Sequence, residues 1–193
     1  MEYVELGNTG IMVSRLCFGG LIIGPLQSNL PVEQGAEVIE KAFEMGVNFI
    51  DTAELYGTYP HIREAIRRFG KKPVIATKSY AYTAEGAVES LEKARKELDV
   101  DVIDLFLLHE QESRLTLRGH REALEYYLEA KAKGIVRAVG VSTHNIEVVD
   151  ACADMPEVDV IHPIVNIKGI GIGDGTIDEM LSVVKKAYDN GKG

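Results

Sequence analysis

The feature that most constrains this chain is an alternation of two kinds of segment. Short, almost continuously apolar runs are each followed by a stretch with apolar residues at helical spacing, six times over. The apolar runs are RLCFGG at 15–20, VNFI at 47–50, PVIAT at 73–77, VIDLFLL at 102–108, IVRAVGV at 135–141 and VDVIH at 158–162. Strands without a polar face, separated by amphipathic helices, predict a parallel sheet covered by helices. The helices are expected from Pro31 to Gly46, over 59–69, from a Thr83 cap to Leu98, and over about 119–132, 145–153 and 176–189. In the first helix Val38, Ile39, Ala42 and Phe43 form the expected core stripe. In the last it is Ile177, Met180, Leu181, Val184 and Tyr188.

Two architectures share this alternation. A doubly wound sheet that binds a dinucleotide carries a glycine-rich turn after its first strand. Here Gly19-Gly20 runs into LIIGP, with no G-x-G-x-x-G opening a helix. The glycines of GIGIGDG at 169–175 follow the sixth strand and read as a loop. At the N-terminus, YVEL at 3–6, the turn GNTG at 7–10 and IMVSR at 11–15 predict a hairpin. A hairpin ahead of the first parallel strand suits the plug beneath a barrel. On the pattern alone both architectures stay open; the barrel reading is a single-domain α/β TIM (β/α)8 barrel over 1–193, incomplete, with the hairpin and about six β/α units.

The formal charge of -9 argues against nucleic-acid binding, which needs a positive face against phosphates. Two isolated cysteines, Cys17 and Cys152, fit buried thiols in a reducing compartment better than a disulfide framework. No apolar run approaches a membrane span, and no basic stretch leads into an apolar one at the N-terminus. A cytoplasmic protein with no membrane or nucleic-acid partner is expected. The histidines lack metal-ligand spacing, so no metal is expected.

Four successive strands end in a polar or ionisable residue: Asp51, Lys78, His109 and Ser142. In a parallel barrel these positions converge on the rim where active sites lie. Helix capping explains an Asp or a Ser, but it requires neither a Lys nor a His. Tyr56 follows Asp51 by five residues and can fold back to the same rim. A phenol with its ordinary pKa of about 10 is a poor acid near neutrality. A neighbouring ammonium would lower that pKa, an Asp would hold the Lys, and a His would bond the reacting oxygen or relay its proton. Such a group suits protonation of an oxygen as it gains charge, as in carbonyl reduction.

With these residues in place, the chain resembles the aldo-keto reductase family. The matching stretches are LGNTGIMVSRLCFGG at 6–20, GVNFIDTAELYG at 46–57, VIATK at 74–78, VDVIDLFLLH at 100–109 and GIVRAVGVS at 134–142. The resemblance implies an eight-stranded barrel that reduces aldehydes and ketones with NADPH, or sometimes NADH, without a metal. It implies Tyr56 as general acid, Lys78 lowering its pKa, Asp51 pairing with Lys78, and His109 orienting the carbonyl of a small-molecule substrate. On the cofactor side it implies Ser142 for the carboxamide. Thr143 replaces the family's Asn, so Asn145 either substitutes for it or caps the next helix. His162 stands where the family has Gln, and Val165 where it has Tyr. These departures resemble a divergent microbial branch of the family.

The family has two further strands, whose loops hold the far end of the cofactor. The chain is accordingly expected to be C-terminally truncated, to hold NADPH weakly, to be weakly active or inactive alone, and to self-associate through exposed edges of its first and sixth strands. Two other functions share the fold. One is a non-catalytic, cofactor-binding regulatory subunit. The other is an aldolase or lyase with Lys78 as Schiff-base lysine.

Overall fold

The computed structural model describes the whole chain, Met1–Gly193. The N-terminal hairpin pairs β1 (Tyr3–Glu5) with β2 (Met12–Ser14), antiparallel. Six parallel strands follow, ordered β3 (Phe18–Gly19), β4 (Phe49–Asp51), β5 (Val74–Ser79), β6 (Ile103–Leu108), β7 (Val136–Thr143) and β8 (Val160–Pro163). Each pairs with its predecessor, so the strand order never reverses as it would in a doubly wound sheet. The helices are α1 (Val32–Glu44), α2 (Tyr59–Phe69), α3 (Ala84–Leu98), α4 (Arg114–Gly119), α5 (Arg121–Ala132), α6 (Ile146–Ala153) and α7 (Ile177–Asp189). The result is an open, incomplete (β/α) barrel, with α4 an addition that the apolar spacing did not predict.

Alternate residues of the strands feed two separate cores, because successive side chains point to opposite faces of a sheet. Phe106, Leu108, Val139 and Val141 point outward and pack with Ile62 of α2, Leu91 of α3, Tyr127 of α5 and Val149 of α6. Leu105, Leu107, Ala76, Ala138 and Val160 point inward. Ile11 and Val13, at and beside β2, pack against that inner face, so the hairpin is the expected plug.

Local chemistry fixes the helix ends. The Thr83 side chain accepts from the Gly86 amide and caps α3, as predicted. Asn145 occupies the N-cap position of α6 without a side-chain cap. Asp174 serves instead, accepting from the amides of Ile146 at 2.6 Å and Glu147 at 3.0 Å. The glycine-rich segment at 169–175 is thus a loop folded onto α6.

Three expectations need correction. Val38 is exposed: Gly35 lets α1 approach α2 so closely that an added Cβ would lie 2.4 Å from the His61 ring, and the buried stripe becomes Gly35, Ala36, Ile39 and Phe43. On α7, Leu181 and Tyr188 are exposed, because Lys186 binds Asp150 and Asp154 beside α6 and turns Met180 and Ala187 inward. Cys17 is exposed, and only Cys152 is buried. The outer edge of β8 is also not bare along its length. Gly193 accepts from the Ile161 amide and donates to the Asp159 carbonyl, each at 2.9 Å.

At Gly140 the neighbouring strands leave no room for a side chain. A Cβ there would stand 2.2 Å from the Val160 carbonyl oxygen and 2.6 Å from Leu107. Gly140→Ala is expected to cost about 3 kcal/mol, at the upper end of ordinary overpacking. Urea unfolding would check this, and an unchanged midpoint would refute the close contact.

Candidate active site

The inward alternation that builds the inner core continues at the C-terminal ends of the strands with polar residues. Asp51 follows Phe49, Lys78 follows Ala76, His109 follows Leu107, Ser142 follows Gly140, and His162 follows Val160. Parallel register sets Ser142 opposite His162, while Asp51 stands opposite Ala76 and Lys78 opposite Leu107, so the polar positions step along the strands from β4 to β6. Tyr56 comes from a tight turn at Glu54–Tyr56, which Gly57 closes in the left-handed region at φ 64°. Tyr56, Lys78, His109, Glu110, Ser142 and His162 line one cavity of about 280 Å³.

Lys78 is buried at its centre, 1% exposed. Its Nζ lies 2.7 Å from Asp51 Oδ1 and donates to the Thr52 carbonyl at 2.8 Å. A buried ammonium needs such partners, since desolvating it alone is costly. The same Nζ stands 4.9 Å from the centre of the Tyr56 ring, beneath its face. His109 meets Tyr56 edge-on at 5.6 Å between ring centres. His162 Nδ1 lies 3.6 Å from Asp51 Oδ1.

The phenol of Tyr56 is pushed up to about 12, by burial first and then by the Asp51 and Glu110 carboxylates. The ammonium lies beneath the ring, ion-paired with Asp51 and bonded to the Thr52 carbonyl. His109 is pushed down to about 4, by burial first and then by Lys78, against the pull of Glu110 and Asp51. Its imidazole is therefore neutral at pH 7, and its Nδ1 is buried without a partner.

Ser142 is buried and accepts the Glu110 amide at 3.0 Å, which leaves its O–H free to donate into the cavity. Asn145 is not brought to the site: its amide group lies against the loop at Gly173. Two neighbours were missed in the sequence. Tyr80 stacks on His109, with ring centres 4.4 Å apart, and its hydroxyl donates to Glu110 Oε2. Tyr80 stands two residues past Lys78, so the alternation of β5 could have found it. Nothing in the sequence marks Glu110. No group of side chains is arranged to hold a metal ion, and no helix is long and apolar enough to cross a membrane.

Residues 15–190 match the sequence model of the aldo/keto reductase family. The aldo-keto reductase YhdN of Bacillus subtilis is 29% identical, with 86% of this chain and 54% of that protein aligned. An Arabidopsis thaliana protein named "probable voltage-gated potassium channel subunit beta" is 27% identical, over 86% of this chain and 54% of its own length. The solved thermostable aldo-keto reductase Tm1743, in complex with the inhibitor epalrestat, superposes with a TM-score of 0.81 at 28% identity, covering 100% of this chain and 70% of that one. The chain spans about half the length of the curated relatives it matches. The family match does not support the expectation of C-terminal truncation: it runs through residue 190 and fills nearly all of the 193 residues.

The low pKa of His109 carries a pH signature. Below its ordinary value of 6.5 the unfolded chain binds a proton that the folded chain refuses until about pH 4. Stability therefore falls as pH drops through that window. In urea unfolding at pH 7 and pH 5, His109→Gln is expected to lose less stability on acidification than the wild type. Equal losses would contradict the buried neutral imidazole.

Proposed function

The chain belongs to the aldo/keto reductase family, and from that premise we propose that its rim constellation reduces the carbonyl group of a small aldehyde or ketone with NADPH or NADH. The observation that carries this reading is the buried Lys78–Asp51 pair beneath the Tyr56 ring, with a neutral His109 beside it. In this reading Tyr56 is the proton donor. A phenol near pKa 12 stays protonated through the working pH range. It is still far more acidic than the alcohol being formed, so the proton moves downhill as the carbonyl oxygen gains charge. The Lys78 ammonium then stabilises the phenolate left behind. His109 is within reach to hydrogen-bond the same oxygen and hold it toward Tyr56.

The residues at one end of the cavity fit a nicotinamide. The buried Ser142 has a free O–H for a carboxamide oxygen, and the half-exposed His162 lines the same wall. When bound, the cofactor supplies the hydride that reduces the carbonyl carbon. Ser142 and His162 would hold its carboxamide. Asn145 is not part of this proposal, since it does not line the cavity.

Lys78 is poorly suited to Schiff-base chemistry, which needs a neutral amine as nucleophile. Its nitrogen is instead ion-paired with Asp51 and donates to the Thr52 carbonyl. The cofactor-binding subunit is the second reading, favoured by the similarity to the Arabidopsis protein named for a channel subunit.

NADPH oxidation across a panel of aldehydes tests the proposal. Tyr56→Phe is expected to lower kcat by at least about 100-fold, the usual contribution of a positioned general acid. A wild-type-like rate in Tyr56→Phe would overturn its role. Cofactor binding without turnover in the wild type would favour the subunit reading.

A further inference from the structure

His109 has no hydrogen bond to set its ring. Its Nδ1 is buried without a partner. Histidines that act at a defined oxygen are commonly oriented by a bond on the other ring nitrogen. Here packing must do that work, and two rings supply it: Tyr56 edge-on, and Tyr80 stacked at 4.4 Å with 29° between planes.

Tyr80 itself is 42% exposed, so packing alone would leave it free to swing toward water. Its hydroxyl is tied to Glu110 Oε2. Its phenol pKa is raised, by burial first and then by this bond, which makes Tyr80 the donor. Glu110 in turn sits in the left-handed region at φ 46°. That conformation is uncommon for a residue with a side chain and costs of order 1–3 kcal/mol where the surroundings impose it. Glycine would adopt it without strain, yet glycine has no carboxylate. Two bonds to β7 impose it: the Glu110 amide donates to Ser142 Oγ at 3.0 Å, and the Gln111 amide donates to the Ser142 carbonyl at 2.8 Å.

We propose that Tyr80 and Glu110 form a bracket that fixes the plane of the His109 ring, and that both are positioning residues for the reaction. The bracket runs from Ser142 through Glu110 and Tyr80 to the imidazole, and so couples β7, β5 and the end of β6. Its catalytic consequence rests on the reading of His109 as the group that meets the carbonyl oxygen. Its structural part does not. The charged and titratable groups around the imidazole are Lys78, Asp51, Glu110 and His162, together with the two tyrosines.

The test compares Tyr80→Phe, Tyr80→Ala, Glu110→Gln, Glu110→Ala and the double variant Tyr80→Phe/Glu110→Ala. The first readout is the proton NMR signal of the His109 ring, which a stacked phenol displaces. Wild type and Glu110→Gln are expected to share that displacement, because a Gln oxygen still accepts from Tyr80. Tyr80→Phe and Glu110→Ala should each lose part of it, and the double variant should lose no more than either, since all three break one bond. Tyr80→Ala should lose it fully. The second readout is carbonyl reduction. Tyr80→Phe and Glu110→Ala should each lower kcat about tenfold, the scale of one hydrogen bond to a charged group, with KM little changed. Glu110→Gln should restore the rate. An unmoved His109 signal in Tyr80→Ala, or additive losses in the double variant, would overturn the bracket. Coupled NMR shifts in a chain without turnover would support the bracket and count against the reductase reading alone.

Discussion

A buried lysine governs this site. Lys78 carries its charge to the inner face of the half-barrel, where only the Asp51 carboxylate and the Thr52 carbonyl meet it. Removing one partner from such a pair leaves an uncompensated charge and costs about 3–5 kcal/mol in typical cases. The pair therefore fixes the end of β4 against the end of β5. The turn that follows β4 then lays the Tyr56 ring over the ammonium, and His109 fills the space beside that ring. Each proposed role depends on the first contact being made.

The inner face explains why these residues meet at all. Deeper along the strands, the inward residues Leu105, Leu107, Ala76, Ala138 and Val160 are apolar and covered by the hairpin. Toward the C-terminal ends, the same alternation yields Asp51, Lys78, His109, Ser142 and His162. Gly140 has no side chain to hold β7 and β8 apart, so Ser142 and His162 stand opposite each other. The floor of the cavity and its chemistry are thus successive inward positions of one alternation.

That pattern is why much of the site was legible in the sequence. Strand ends are marked by a polar residue after an apolar run, and parallel register does the rest. Tyr56 was legible because it stands five residues past Asp51, a reach that lets a short loop fold back to the rim. What was not legible depends on contacts between elements. Val38 and Tyr188 lie at helical spacing, but the neighbouring helix decides which stripe is inside. Asn145 takes the N-cap position of α6, but its side chain makes no cap bond, because Asp174, far along the chain, receives those amides instead. The raised pKa of Tyr56 follows from burial first and then from the Asp51 and Glu110 carboxylates, surroundings that no spacing records.

The most direct measurement is a double-variant cycle on Lys78 and Asp51, read as kcat/KM for carbonyl reduction. If the ion pair is the centre of the site, Lys78→Met should lose at least about 100-fold, and adding Asp51→Asn should lose little more, because residues that act as a unit are not additive. A Lys78→Met variant that turns over near the wild-type rate, or two losses that simply multiply, would contradict that account.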